Sequence, residues 1–143
     1  MKRLALCLPV LLAAAPAQAA DWRLTGVTLR GSTYVDAESV NRSGDRVEYL
    51  ETMIFLDAPR GMTRSLARQR ADCRSFELST LEMTAFLTDG RSDTWRPSGE
   101  PLTAPPGSVF HASITAACSR EWPGETVADP VADAMSRRGG GKN

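Results

Sequence analysis

The chain of 143 residues contains a single histidine, His111, and three cysteines, with no Cys-x-x-Cys and no Gly-x-Ser-x-Gly motif. A hydrolytic triad needs a histidine converging with a nucleophile and an acid. Ser108 and Ser113 flank His111, but there is no nucleophile elbow. On a helical reading His111 lies one residue off an apolar stripe, where a structural role is expected. Transition metals favour clustered His and Cys ligands. Calcium loops need a denser set of carboxylates than the pairs Asp45/Glu48 and Asp89/Asp93, which read as solvated turn charges. The glycines at 139–141 have no helix after them, so they form no phosphate loop. These shortages lead us to expect no catalytic residue, no metal and no cofactor.

An excess of charge of one sign is also missing. Basic and acidic residues number 17 each, and arginine greatly outnumbers lysine. Nucleic acids and anionic membrane surfaces favour a clear basic excess, so neither is an expected partner. Long apolar runs are confined to residues 4–15, short of the roughly 20 residues that span a bilayer.

That run lies in an export signal. Lys2 and Arg3 precede it, and Ala17-Gln18-Ala19 follows as a small-x-small cleavage site, with the cut expected after Ala19. Cys7 falls too early, and behind Leu6, to be a lipidated cysteine. Its loss leaves Cys73 and Cys118, an even pair in an oxidising compartment, which predicts a disulfide. The expected location is periplasmic or secreted, including the cell surface. Without Lys2 and Arg3 the mature chain holds 15 basic and 17 acidic residues, a net charge of −2. Asn41-Arg42-Ser43 fits a glycosylation sequon, but in a bacterial-type exported chain it carries little weight.

Alternation of apolar residues predicts mostly strands. Residues 22–28 read as a first strand and 33–35 as a short second one. Asp36 would cap one helical turn over residues 36–39, and residues 41–45 form a turn by composition. Residues 46–57 are the strongest strand. Val47, Tyr49, Met53 and Phe55 lie on one face, with Leu50, Ile54 and Leu56 on the other, so both faces of its second half should be covered. Residues 65–74 alternate with a charged outer face. A second run slips phase near Ser79-Thr80, which predicts a bulge or turn. Asp89-Gly90 marks a turn, and residues 91–106 read as irregular. Residues 108–118 fit either a helical stripe or a strand alternation. The upstream prolines and Ser108 as N-cap favour the helix. From residue 123 the chain is polar, with Pro123, Gly124 and Pro130, and is expected to be disordered. There is no internal repeat. The expected architecture is α+β: an antiparallel sheet of about five to six strands with one C-terminal helix, in a single domain over residues 20–122.

Trp22, Tyr34 and Trp95 are candidate exposed aromatics for binding, with Trp122 a fourth aromatic to place. The competing reading has Trp22 and Trp95 capping the edges of the sheet core.

Asp21-Trp22, Ser32-Thr33-Tyr34-Val35-Asp36 and the run from Val40 to Val47 resemble the opening of the surface-adhesin protein E-like family. Further along, Asp72-Cys73, Trp95 with Pro97, and Pro106-Gly107-Ser108 before a helix ending at Cys118 keep that family's order. The resemblance covers about residues 21–118. It implies an antiparallel sheet, a C-terminal helix, a Cys–Cys bridge and a non-catalytic binding module with a protein partner of unknown identity. A soluble envelope accessory protein without adhesive role is the second expectation, and a small hydrolase a distant third.

Overall fold

The computed structural model describes residues 19–139; the predicted signal peptide lies almost wholly outside them. Eight strands form one antiparallel sheet, more than the five to six expected. They are β1 (Trp22–Thr28), β2 (Gly31–Ser43), β3 (Arg46–Phe55), β4 (Met62–Asp72), β5 (Glu77–Leu87), β6 (Ser92–Trp95), β7 (Leu102–Thr103) and β8 (Thr126–Val127). Two helices, α1 (Val109–Ser119) and α2 (Pro130–Gly139), complete the fold. The sheet order is β6-β5-β4-β3-β2-β1-β8, with β7 also on β5.

The helical reading of residues 108–118 holds. Ser108 Oγ accepts the His111 N–H at 3.1 Å, which satisfies one of the donors left over in a first helical turn. At the other end Arg42 Nη1 donates to the Cys118 carbonyl at 2.7 Å, placing a cation at the negative end of the helix. Ser113, Ile114, Ala116 and Ala117 are buried against the sheet. The helix approaches β1 so closely that a Cβ on Gly26 would lie 2.7 Å from Val109 Cγ1.

The expected helical turn at 36–39 is instead a wide bulge in β2, between the pairs Asp36↔Leu50 and Asn41↔Glu48. Asp36 does the local hydrogen bonding that suggested an N-cap. Its Oδ1 accepts from the N–H groups of Glu38 (3.1 Å) and Asp21 (2.9 Å). Ser39 then fills the gap in the ladder, accepting the Leu50 N–H at 2.8 Å. Short polar side chains offer the backbone such alternatives, and pairing on both sides selected the strand.

The phase slip in β5 is a bulge at Leu81, where the register passes from Arg68↔Glu82 to Gln69↔Thr80. Residues 91–106 are less irregular than expected, since β6 and β7 both pair with β5.

The largest correction concerns the tail. Residues 126–127 pair with Trp22 and Arg23, and α2 packs on β2 and β3. Asp129 Oδ1 accepts from the Val131 and Ala132 N–H groups, and Pro130 stands at the first helical position. Proline there loses no hydrogen bond, so a residue read as a breaker is a helix start. The sheet is therefore covered on both faces. Under α1 lie Val35, Val47, Tyr49, Ala71 and Leu78, packed against Ile114 of the helix. Under α2 lie Tyr34 and Ile54, closed by Ala134 and flanked by Trp22, Leu24 and Val127. The coverage expected over both faces of β3 is supplied by the segment expected to be disordered.

Candidate binding groove

Cys73 follows β4 directly and Cys118 is the penultimate residue of α1; they are bridged, with Cα atoms 5.9 Å apart. Asp72 shapes the turn that presents Cys73: its Oδ1 accepts the N–H groups of Arg74 (2.8 Å) and Ser75 (2.9 Å). Those bonds hold the Asp72 carboxyl below its ordinary value. The bridge fixes the C-terminal end of α1 over β4, and the rest of the helix runs above the sheet.

The aromatic candidates do not converge. Tyr34 is fully buried and is corrected as an exposed site. Its hydroxyl donates to Asp133 Oδ2 at 2.8 Å under α2, and burial together with that carboxylate pushes the phenol up to about 12. Trp22 is half-buried beside it. Trp95 is 43% exposed on β6, on the opposite side of the sheet. Trp122 packs at the margin of the α1 core.

A groove of about 740 Å³ opens between β5, the segment 97–105 and the start of α1. Its origin is the way β5 is paired. β6 pairs with residues 83–86 of β5 and β7 with residues 77–78, so residues 79–82, paired to β4 on their inner side, have no strand on their outer edge. The chain arches away there, carrying Pro97, Gly99 and Pro101. Proline donates no ladder hydrogen bond, which keeps the arch off the sheet. Leu78, Leu81, Met83, Leu102 and Phe110 supply apolar walls. Trp95 is the cross-strand partner of Met83 and so shares its face. Composition showed the prolines, but only the register shows what they open.

The groove floor is polar and continues inward. Thr80 Oγ1 donates to Gln69 Oε1 at 2.8 Å, and Gln69 Nε2 donates to Glu51 Oε1 at 3.2 Å. Farther under α1, the Ser113 and Thr25 hydroxyls are 2.9 Å apart. Glu51 is only 3% exposed, and its Oε2, like the buried Tyr49 hydroxyl, has no hydrogen-bond partner among the described residues. Burial pushes the Glu51 carboxyl up, with Ser113 and Gln69 only partly opposing it. Burial likewise pushes the Tyr49 phenol up, and the neighbouring Glu51 adds to this. Glu51 escaped the sequence reading because it sits at an inward position between apolar Tyr49 and Met53, and nothing local marks it.

A carboxyl whose folded pKa lies above its unfolded value of 4.5 holds its proton more tightly when folded. Stability is then fullest below pH 4.5 and falls as the pH rises through the folded value. Glu51→Gln, which cannot ionise, should therefore match the wild type in acid and exceed it by about 1–3 kcal/mol at neutral pH. Urea unfolding at several pH values reads this directly. A variant equal to the wild type in acid but weaker at neutral pH would show that the carboxylate is held as an anion.

The remaining candidates have local partners. His111 stacks on Phe76, with ring centroids 4.2 Å apart and planes at 4°. Asp45 pairs with Arg74, Glu48 with Arg70 and Asp89 with Arg91. Among the described residues no His, Cys, Asp and Glu cluster could hold a metal, and no helix is long and apolar enough to cross a membrane.

No family model matches the chain, and no protein of curated function does. Among solved structures it is similar to Haemophilus influenzae protein E in crystal form II, with 13% identity over 67% of this chain and 92% of that one, and a TM-score of 0.46. A second structure of Haemophilus influenzae protein E shares 12% identity over 76% and 92%, with a TM-score of 0.49. Its Se-Met form shares 12% over 73% and 97%, with a TM-score of 0.44.

Proposed function

We propose that this chain is a non-catalytic, exported binding domain of the surface-adhesin protein E-like type, and that the groove beside β5 takes a segment of another protein. The observation that carries this reading is the interrupted pairing of β5, which leaves an apolar-walled, polar-floored groove at the sheet edge. Such a groove suits an extended peptide, whose side chains alternate between the walls and solvent. The residues a triad would need are engaged otherwise: His111 stacks on Phe76, Ser108 caps α1 and Ser113 meets Thr25. The intramolecular disulfide suits an oxidising location.

The test uses the mature protein as bait against envelope extracts and host matrix proteins. Leu102 is 70% exposed, so Leu102→Asp should fold normally. It should weaken capture of a groove-bound partner at least tenfold, equivalent to about 1.4 kcal/mol. Leu29→Asp, on the exposed β1–β2 turn, is the control. Equal capture by both variants would remove the groove from the reading. Cell fractionation separates the adhesive role from the envelope accessory role, since an adhesin must reach the surface.

A further inference from the structure

The face of the sheet opposite α1 is covered over only part of its width. α2 lies on β2 and β3, above Tyr34 and Ile54. Toward β6 the same face continues through register partners: Glu48↔Arg70, Leu50↔Arg68 and Ile54↔Arg64 between β3 and β4, then Arg64↔Phe86 and Arg68↔Glu82 on to β5. No described element closes over this half. Arg68 and Arg70 are exposed, while Leu50 opposite Arg68, Leu66 between Arg64 and Arg68, and Phe86 opposite Arg64 are half-buried.

The charges here are unequal. Arg70 Nη2 lies 2.7 Å from Glu48 Oε1, and Arg96 Nε lies 3.3 Å from Glu82 Oε2. The Arg64 guanidinium sits 4.5 Å from the centre of the Phe86 ring, a cation over an aromatic face with no carboxylate paired to it among the described residues. Arg68 stands between the two ion pairs and has no salt-bridge partner among the described residues. Arg64 and Arg68 thus stand on this face with no ion-pair partner among the described residues, in a chain whose basic and acidic residues balance overall.

We propose that this bare half-face docks an acidic segment of a partner protein, with carboxylates meeting Arg68 and Arg64 and apolar side chains settling on Leu50, Leu66 and Phe86. Arginine interleaved with apolar and aromatic side chains suits a protein contact. Arginine forks also accept carboxylates bidentately. Alternate residues of a strand share a face and are about 6.6–6.8 Å apart, so an extended segment with two acids four residues apart and an apolar residue midway between them matches Arg64, Leu66 and Arg68 on β4. A sulfated or phosphorylated polymer fits less well, because Glu48 and Glu82 repel it and the apolar patches give it nothing.

The test is fluorescence anisotropy of a labelled Glu–Leu octapeptide, with Glu at its first and fifth positions, Leu at its third and seventh and Ser between them so that both kinds face the sheet together, titrated with the mature protein at low and physiological salt. Binding that weakens with salt is expected, with no binding of the Lys–Leu counterpart. Arg68→Glu and the milder Arg68→Gln should lower affinity at least tenfold and threefold respectively. Arg138→Glu on α2, with the same change of net charge as Arg68→Glu, should leave it unchanged, as should Leu102→Asp in the groove. Absence of Glu–Leu binding, equal effects of Arg68→Glu and Arg138→Glu, or binding of heparin in place of the peptide would each overturn the proposal.

Discussion

With Cys73 and Cys118 both replaced by Ser, the mature protein should unfold about 4 kcal/mol more readily. The bridge spans 45 residues of sequence, and closing a loop of that size removes roughly this much free energy from the unfolded ensemble in the chain-entropy model. For a domain of about 120 ordered residues the melting midpoint should fall by roughly 15–25 °C. The loop being closed contains β5, β6, β7 and most of α1. Its irregular arch at 96–101 contributes little packing of its own, so the loss should be felt first there and in α1. Intact-mass measurement before and after reduction should differ by two hydrogens. Unchanged stability in the double-Ser variant would mean that the reduced loop is already ordered in the unfolded chain.

Truncation after residue 125 should be nearly as damaging. It removes β8 from the edge of β1 and α2 from Tyr34 and Ile54. Uncovering two large side chains, each stabilising by roughly 1.5–3 kcal/mol when fully buried, should lower stability by about 2–4 kcal/mol. The midpoint should then drop by about 10–20 °C. The Tyr34 hydroxyl also loses Asp133, whose carboxyl is held below its ordinary value first by Arg137 and also by Tyr34. Differential scanning calorimetry of the truncated and full mature chains decides this. A shift of only a degree or two would mean that α2 rests on the sheet without stabilising it.

The two predictions mark where the sequence was readable. Sheet class, the late helix, its Ser108 cap and the cysteine pair all rest on short-range patterns or on counting, and the structure agrees with them. The tail was misjudged because its burial is held by few residues. Ala134 is the one α2 side chain fully buried, and alanine adds little to any apolar pattern. What orders the segment is partnership at long range: Thr126 Oγ1 donating to Asp21 Oδ1 at 2.8 Å, Arg23 donating to the Gly124 carbonyl at 3.2 Å, and Tyr34 donating to Asp133. None of these can be seen from either end alone. Yet the need for them was visible, since Leu50, Ile54 and Leu56 gave β3 a second apolar face with no cover assigned. The groove was hidden for a related reason. Its walls come from three separate segments, and only the β5 pairing register reveals that its edge is left open.

The pairing of β1 with β8 has a temporal meaning as well. The strand made first after the predicted cleavage site finds its outer neighbour only when residues 126–127 exist. Until then β1 has an unprotected edge, and Tyr34 and Ile54 lie under no helix. Contacts of such long sequence separation form late, because loop closure must precede them. The fold therefore cannot be completed before residues 126–139 are available, and a chain halted short of residue 126 would leave both the edge and the apolar face uncovered.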